Sequence, residues 1–288
     1  MRKLELILGA LLLFAIAIVG ISIGVRALFD HLQSNRVEAV IAPAAYDRLK
    51  FVTKLYHASV LMYFPQRDGG EKMACTATAI QEVPDNRTNR KAGYLFISAS
   101  HCVDGKRIVD LARDEFPDGG KKVYYHAVVV AQSDRSLGVD ASVLFVATQD
   151  NFETIPIGHN PSQLGETIFN LSGPEGSPKQ IFPGYISSLY LNRPAVLSDG
   201  SNWEGYLLVA IPGAGSPGAS GSMLVCENQQ AICGLFVGLM PGGMVALPIN
   251  RYTSWWEGIK TGKIKPFPAS APEKTEPPMK SPIGKPIV

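Results

Sequence analysis

Between Ala58 and Pro248 the apolar residues fall into short runs of β type, each ended by turn residues, and no long helical stripe interrupts them. The runs are Ser59 to Phe64, Ala74 to Ile80, Tyr94 to Ser98, Val123 to Ala131, Ala141 to Val146, Glu166 to Leu171, Gly184 to Tyr190, Gly205 to Ile211, Ser222 to Cys226, Cys233 to Leu239 and Met244 to Pro248. Strands this short and this evenly spaced predict an all-β sandwich or barrel architecture. Gln81 to Lys91 is charged and poor in apolar residues, which predicts an exposed loop inserted between two strands.

The flanks follow other patterns. Leu6 to Val25 carries no charge, and twenty residues at 1.5 Å each cross the ~30 Å of bilayer hydrocarbon. Residues 1–25 are therefore expected to form a transmembrane anchor. A cleaved signal peptide has a shorter apolar region, roughly 7–15 residues, and the small-residue triplet Ala15-Ile16-Ala17 lies inside the run instead of after it. Arg2 and Lys3 orient the N-terminus to the cytoplasm and the rest of the chain to the periplasm or the cell exterior. Residues 26–54 read as a polar, partly helical juxtamembrane segment. After the strands, Asn250 is expected to cap a helix from Arg251 to Ile259, with Tyr252, Trp255, Trp256 and Ile259 on one face. Residues 263–288 hold seven prolines among lysines, and this composition predicts an extended or disordered tail.

Composition narrows the function classes. Gly 28 and Pro 21 in 288 residues suit a turn-rich β protein, and a net charge of +2 gives no electrostatic footprint for nucleic acid. Cys75, Cys102, Cys226 and Cys233 allow three pairings and contain no CxxC pair, so no zinc site is expected, and nothing points to a cofactor. The chemistry lies elsewhere. Ser220 sits in Gly218-Ala219-Ser220-Gly221-Ser222, His101 sits in Ser98-Ala99-Ser100-His101-Cys102, and Asp140 opens a strand between them. A serine hydroxyl near neutral pH needs a base to take its proton, a carboxylate to orient the base and amides to hold the oxyanion.

The flanks of these residues resemble trypsin-like serine proteases, in the style of the HtrA/Deg-like branch. Cys75 to Ile80 and Gly93 to Gly105 resemble the strand and loop of the histidine, and Asp140 to Leu144 the aspartate segment. Gly158 to Gly173 with Gly184 to Ser188 resemble the opening of a second barrel, and Gly215 to Ser222 the nucleophile loop. The likeness covers residues 55–262, which it marks as one protease domain. It implies two six-stranded antiparallel β-barrels and a serine endopeptidase acting on proteins or peptides through His101, Asp140 and Ser220. The amides of Gly218 and Ser220 would form the oxyanion hole, and Ala214, Phe236, Val237 and Gly238 the substrate-binding wall. That wall offers no charge, which implies cleavage after small or aliphatic residues. The resemblance also implies a Cys75–Cys102 bridge beside the histidine, which leaves Cys226 with Cys233.

The sequence departs from family patterns at two positions. Ala219 stands where digestive relatives carry an aspartate that pairs with a freed N-terminus, so no activation cleavage is expected. Ser222 replaces a commoner glycine. Asp134 is the alternative carboxylate but sits in a polar stretch expected to be loop, and Asp104 is expected to serve a turn before Gly105. His57, His126 and His159 lack matching flanks. Asn86-Arg87-Thr88 and Asn170-Leu171-Ser172 are glycosylation sequons, meaningful only in a eukaryotic secretory route. The competing readings are an inactive trypsin-like binding protein and an α/β-hydrolase; the latter fails because that fold runs Ser, Asp, His along the chain.

Overall fold

Alternating burial marks part of the sheets. Along β5 (Lys122–Gln132), Tyr125, Ala127 and Ala131 are buried, while Lys122, Tyr124, His126, Val128 and Val130 face water. A strand with one wet face and one dry face closes into a barrel, which also removes unpaired edges. The computed structural model describes residues 43–65, 71–85, 90–114, 122–174, 178–190, 202–212, 217–240 and 243–264.

The first barrel is formed by β1 (Ser59–Pro65), β2 (Glu71–Asp85), β3 (Arg90–Ser98), β4 (Ile108–Asp114), β5 and β6 (Ser142–Ala147), closed in the order β1-β2-β3-β6-β5-β4. The second comprises β7 (Thr167–Ser172), β8 (Gln180–Ser188), β9 (Leu207–Ala210), β10 (Met223–Cys226), β11 (Ala231–Met240) and β12 (Gly243–Pro248), closed as β10-β11-β12-β9-β8-β7. These are the two six-stranded antiparallel barrels that the resemblance implied. One apolar cluster runs from Ala77 and Val143 of the first barrel to Leu235 and Val245 of the second, so the barrels share a core.

Two strand expectations are corrected. β4 was absent from the pattern because Asp110 and Arg113 interrupt its apolar positions, yet Val109, Leu111 and Ala112 are buried and the strand closes the barrel against β1 and β5. The described parts of Gln81 to Lys91 are strand and not loop: β2 continues to Asp85 and β3 starts at Arg90, with Gln81 paired to Leu95, Glu82 to Tyr94 and Asp85 to Arg90, while residues 86–89 lie outside the described residues. Polar side chains on the wet face of a long hairpin leave its main-chain ladder intact.

Two helices flank the barrels. α1 (Pro43–Ala58) crosses the boundary expected at residue 54 and buries Phe51, Leu55 and Ala58. Phe51 stands edge-on to Phe169 of β7, ring centroids 6.3 Å apart. Lys179 Nζ donates to the carbonyls of Tyr56 and Ser59 at 2.9 and 2.7 Å, satisfying groups that a helix end leaves open. α2 (Ile249–Lys260) buries Tyr252 and Trp255, with Trp256 and Ile259 partly covered. Its N-terminal boundary residue is Pro248, not Asn250; Asn250 lies in the first turn, and its carbonyl accepts from Thr253 Oγ1 and Ser254 Oγ.

Among the described residues no helix is long and apolar enough to cross a membrane. The expected anchor at 1–25 and residues 265–288 of the expected tail lie outside the described residues, as does Asn86-Arg87-Thr88.

Candidate active site

His101 and Asp140 meet through two short turns of the first barrel. β3 ends at Ser98 and the chain tightens into a 3₁₀ turn over Ser100–Cys102, which presents His101 partly exposed. Hydroxyl groups hold that turn: Ser142 Oγ donates to the Ser98 and Ala99 carbonyls at 3.2 and 3.1 Å, and Ser100 Oγ donates to the Ser133 carbonyl at 2.7 Å. Asp140 lies just before β6, where Ser133 Oγ donates to the Val139 carbonyl at 2.7 Å and accepts from the Ala141 amide at 2.9 Å. Asp140 is 2% exposed, and its carboxylate takes both groups that His101 offers. Oδ1 accepts from the His101 amide at 3.0 Å, and Oδ2 contacts Nδ1 at 2.7 Å. An ionised carboxylate only accepts, so Nδ1 carries the proton and Nε2 is left with its lone pair. Among the described residues Nε2 has no hydrogen-bond partner.

Ser220 is carried on a β-turn in which the Ser222 amide donates to the Ala219 carbonyl at 3.0 Å. Gly221 occupies the third position with φ +78°, the left-handed conformation that a type II turn requires there. A Cβ on Gly221 would lie 2.2 Å from Ser98 Oγ and 2.4 Å from the Thr76 carbonyl oxygen, so only glycine lets the turn approach β2 and β3 this closely. Thr76 of β2 fastens the loop to the first barrel: its amide donates to the Ser220 carbonyl at 2.8 Å, and its Oγ1 donates to the Gly218 carbonyl at 3.0 Å. Thr76 follows Cys75, whose sulfur is bonded to Cys102, the neighbour of His101. A ring nitrogen of His101 lies within 4.8 Å of the Cys75 sulfur. The disulfide and Thr76 thus bring the His101 and Ser220 loops together across the barrels. Those sulfurs are joined to each other, so they provide no thiolates for a metal.

Both disulfides implied by the resemblance are present, Cys75–Cys102 and Cys226–Cys233. Gly218 is buried with φ +101°, and among the described residues the amides of Gly218 and Ser220 donate to no acceptor. Of the expected substrate wall, Ala214 lies outside the described residues. Phe236 and Val237 do not present open side chains: they are 2% and 3% exposed within the apolar clusters. Their strand offers main chain at this point, and Phe236 bonds Gly221 and Ser222 through its carbonyl and amide, both at 2.8 Å. Gly238 is partly exposed, and the indole of Trp203 stands 2.6 Å from where its Cβ would be.

The other carboxylates and histidines are elsewhere. Asp134 caps the 3₁₀ turn Arg135–Leu137 by accepting from the Ser136 amide, and Asp104 lies 3.8 Å from Arg135 in an exposed turn. His126 pairs with Asp110 on the barrel exterior, and His57 and His159 are exposed. A depression of about 370 Å³ on the second barrel, between Leu189, Tyr190, Glu204 and Arg251, contains neither His101 nor Ser220.

Sequence reasoning missed Thr76, Tyr206 and Asn170. Tyr206 is fully buried; burial first, and then the charge of Asp140, push its phenol well above the ordinary tyrosine value, while Arg251 opposes the shift. The run Gly205 to Ile211 marked it as strand, with nothing to place it near Asp140. Asn170 was read as a sequon, but it is 0% exposed inside the second barrel, with its amide committed to Ser222 and Met223, and has no room for a glycan.

The fold has a solved counterpart. The structure titled "Crystal structure of Deg5" aligns with a TM-score of 0.55 and 13% identity, over 75% of this chain and 95% of that one. At that identity the likeness is one of fold alone. No curated protein sequence matches the chain. The family model described as "Trypsin-like peptidase domain" matches residues 85–235, from the end of β2 through both barrels to β11. That span exceeds half of the chain and takes in His101, Asp140 and Ser220; the protein belongs to the trypsin-like peptidase family.

Proposed function

We propose that the protein is a serine endopeptidase working through His101, Asp140 and Ser220. The observation that carries this is the 2.7 Å contact of His101 Nδ1 with the buried Asp140 carboxylate, which leaves Nε2 as the basic nitrogen. Ser220 Oγ attacks the scissile carbonyl while Nε2 takes the hydroxyl proton, and the imidazolium is stabilised by Asp140. Nε2 returns that proton to the leaving amine, and the peptide C–N bond breaks. Water deprotonated by the same nitrogen then hydrolyses the acyl-enzyme ester. The open amides of Gly218 and Ser220 support their role as oxyanion donors, each worth about 3 kcal/mol in the transition state.

Ala219 is fully buried in an apolar cluster, where it offers nothing for a newly cut N-terminus to pair with; this supports activity without zymogen cleavage. Of the described wall residues Gly238 alone is partly exposed, and it carries no charge, which supports cleavage after small or aliphatic residues. The apolar run Leu6 to Val25, with two disulfides on the domain, supports a membrane-anchored protease facing an oxidising compartment, periplasmic or extracellular.

Labelling of the full chain with a fluorophosphonate, followed by peptide mapping, tests the mechanism. Modification is expected at Ser220 and lost in Ser220→Ala, and Asp140→Asn should lower kcat by about 10⁴-fold. An unlabelled wild type would favour the alternative, an inactive binding protein of this fold. Peptide hydrolysis surviving in Ser220→Ala would overturn the assignment of the nucleophile.

A further inference from the structure

We propose that Asn170 is a positioning residue for the turn that carries Ser220, acting through Ser222; the inference rests on reading Ser220 as the nucleophile. Both side chains are completely buried. Asn170 Nδ2 donates to Ser222 Oγ at 2.6 Å and to the Met223 carbonyl at 3.1 Å, while its Oδ1 accepts from Ser172 Oγ at 3.0 Å. Asn170 belongs to β7 and stands opposite Leu224 of β10, so its amide reaches past the start of β10 to the residue that closes the turn.

Ser222 is that closing residue. Its amide bonds Ala219 across Ser220 and Gly221, and its carbonyl accepts from the Phe236 amide at 2.8 Å. The side-chain bond to Asn170 adds a third restraint at the same residue, inside a dry barrel where an unsatisfied amide is costly. The glycine commoner at position 222 would leave Asn170 without this acceptor. The departure at 222 and the buried amide at 170 therefore form one device. A turn held at both ends keeps Ser220 in a single attack geometry, and misplacement of about 1 Å is enough to slow catalysis.

The test uses Asn170→Val, Ser222→Gly and the double variant in the full chain. Three quantities are read: amide hydrogen exchange across 218–222, the fluorophosphonate acylation rate, and kcat and KM on a peptide substrate. Asn170→Val is expected to speed exchange at Gly221 and Ser222 and to slow acylation and kcat by roughly tenfold, with KM held within about twofold. The double variant should be no slower than the slower single, because both substitutions remove the same bond. Losses that multiply in the double variant would overturn the proposal, as would unchanged exchange or unchanged acylation in Asn170→Val. If the valine variant does not fold, Asn170→Leu, close in size and without any donor, is expected to give the same pattern. Faster exchange with a wild type that never acylates sinks the reading of Ser220 as nucleophile, and the positioning role with it. An acylating wild type matched by Asn170→Val overturns the positioning role alone.

Discussion

Removing one disulfide at a time separates a bridge that holds chemistry from one that holds only chain. Cys75 and Cys102 are 27 residues apart, and Cys226 and Cys233 are 7 apart. Loop-closure entropy then gives about 3.6 kcal/mol for the first bridge and about 2.4 kcal/mol for the second. At roughly 2–4 °C per kcal/mol for a domain of this size, Cys75→Ala/Cys102→Ala should lower Tm by roughly 7–14 °C and Cys226→Ala/Cys233→Ala by roughly 5–10 °C. All four sulfurs are buried, so the small voids left behind are comparable and the difference between the pairs reports the loops. Acylation should part the two more sharply. The first bridge ties the neighbour of His101 to the strand that holds Ser220 through Thr76, whereas the second closes the β10–β11 hairpin. Thermal unfolding followed by near-UV circular dichroism, with fluorophosphonate labelling well below Tm, measures both. A larger Tm loss for the short loop would refute the entropic argument. Equal labelling rates in the two variants would refute the claim that the 75–102 bridge organises the site.

Two glycines with the same φ of +78° separate backbone strain from packing. Gly165→Ala meets nothing within 4 Å and should cost only the left-handed penalty, about 1–2 kcal/mol by chemical denaturation. Gly221→Ala adds overlap with Ser98 and Thr76 and should abolish labelling of Ser220; a labelled, stable Gly221→Ala would contradict the close approach described. Burial raises the phenols of Tyr206 and Tyr252 above their ordinary value of 10.0. The unfolded chain therefore loses these protons first, and the stability they contribute is full below pH 10 and declines as pH rises beyond it. Tm measured between pH 9 and 11 should fall, and the fall should be shallower in Tyr206→Phe and Tyr252→Phe.

What could be read from the sequence depended on how locally each feature is determined. The eleven expected strands reflect short apolar runs ended by turn residues, which each segment displays alone. β4 escaped because only its neighbours accommodate its charges: Asp110 pairs with His126 of β5, and Arg113 lies over the rings of Tyr125 and Phe152. The extension of β2 to Asp85 escaped for the same reason: Gln81 and Glu82 look like loop until Leu95 and Tyr94 pair with them. His101, Asp140 and Ser220 stood out because their immediate neighbours are distinctive, and the cysteine pairing followed from one of those neighbourhoods.

The chain on its own determined the all-β class, through short apolar runs, and the candidate base, carboxylate and nucleophile, through short motifs; the disulfide partners came only with the family resemblance that those motifs carry. Tertiary structure decided the rest. Thr76 fastening the Ser220 loop, Phe236 and Val237 turned into the core, and Asn170 serving as a buried donor to Ser222 join residues as far as 142 positions apart. Such contacts arise when two closed barrels share one core. No window of sequence contains both partners, so their physical role exists only after folding.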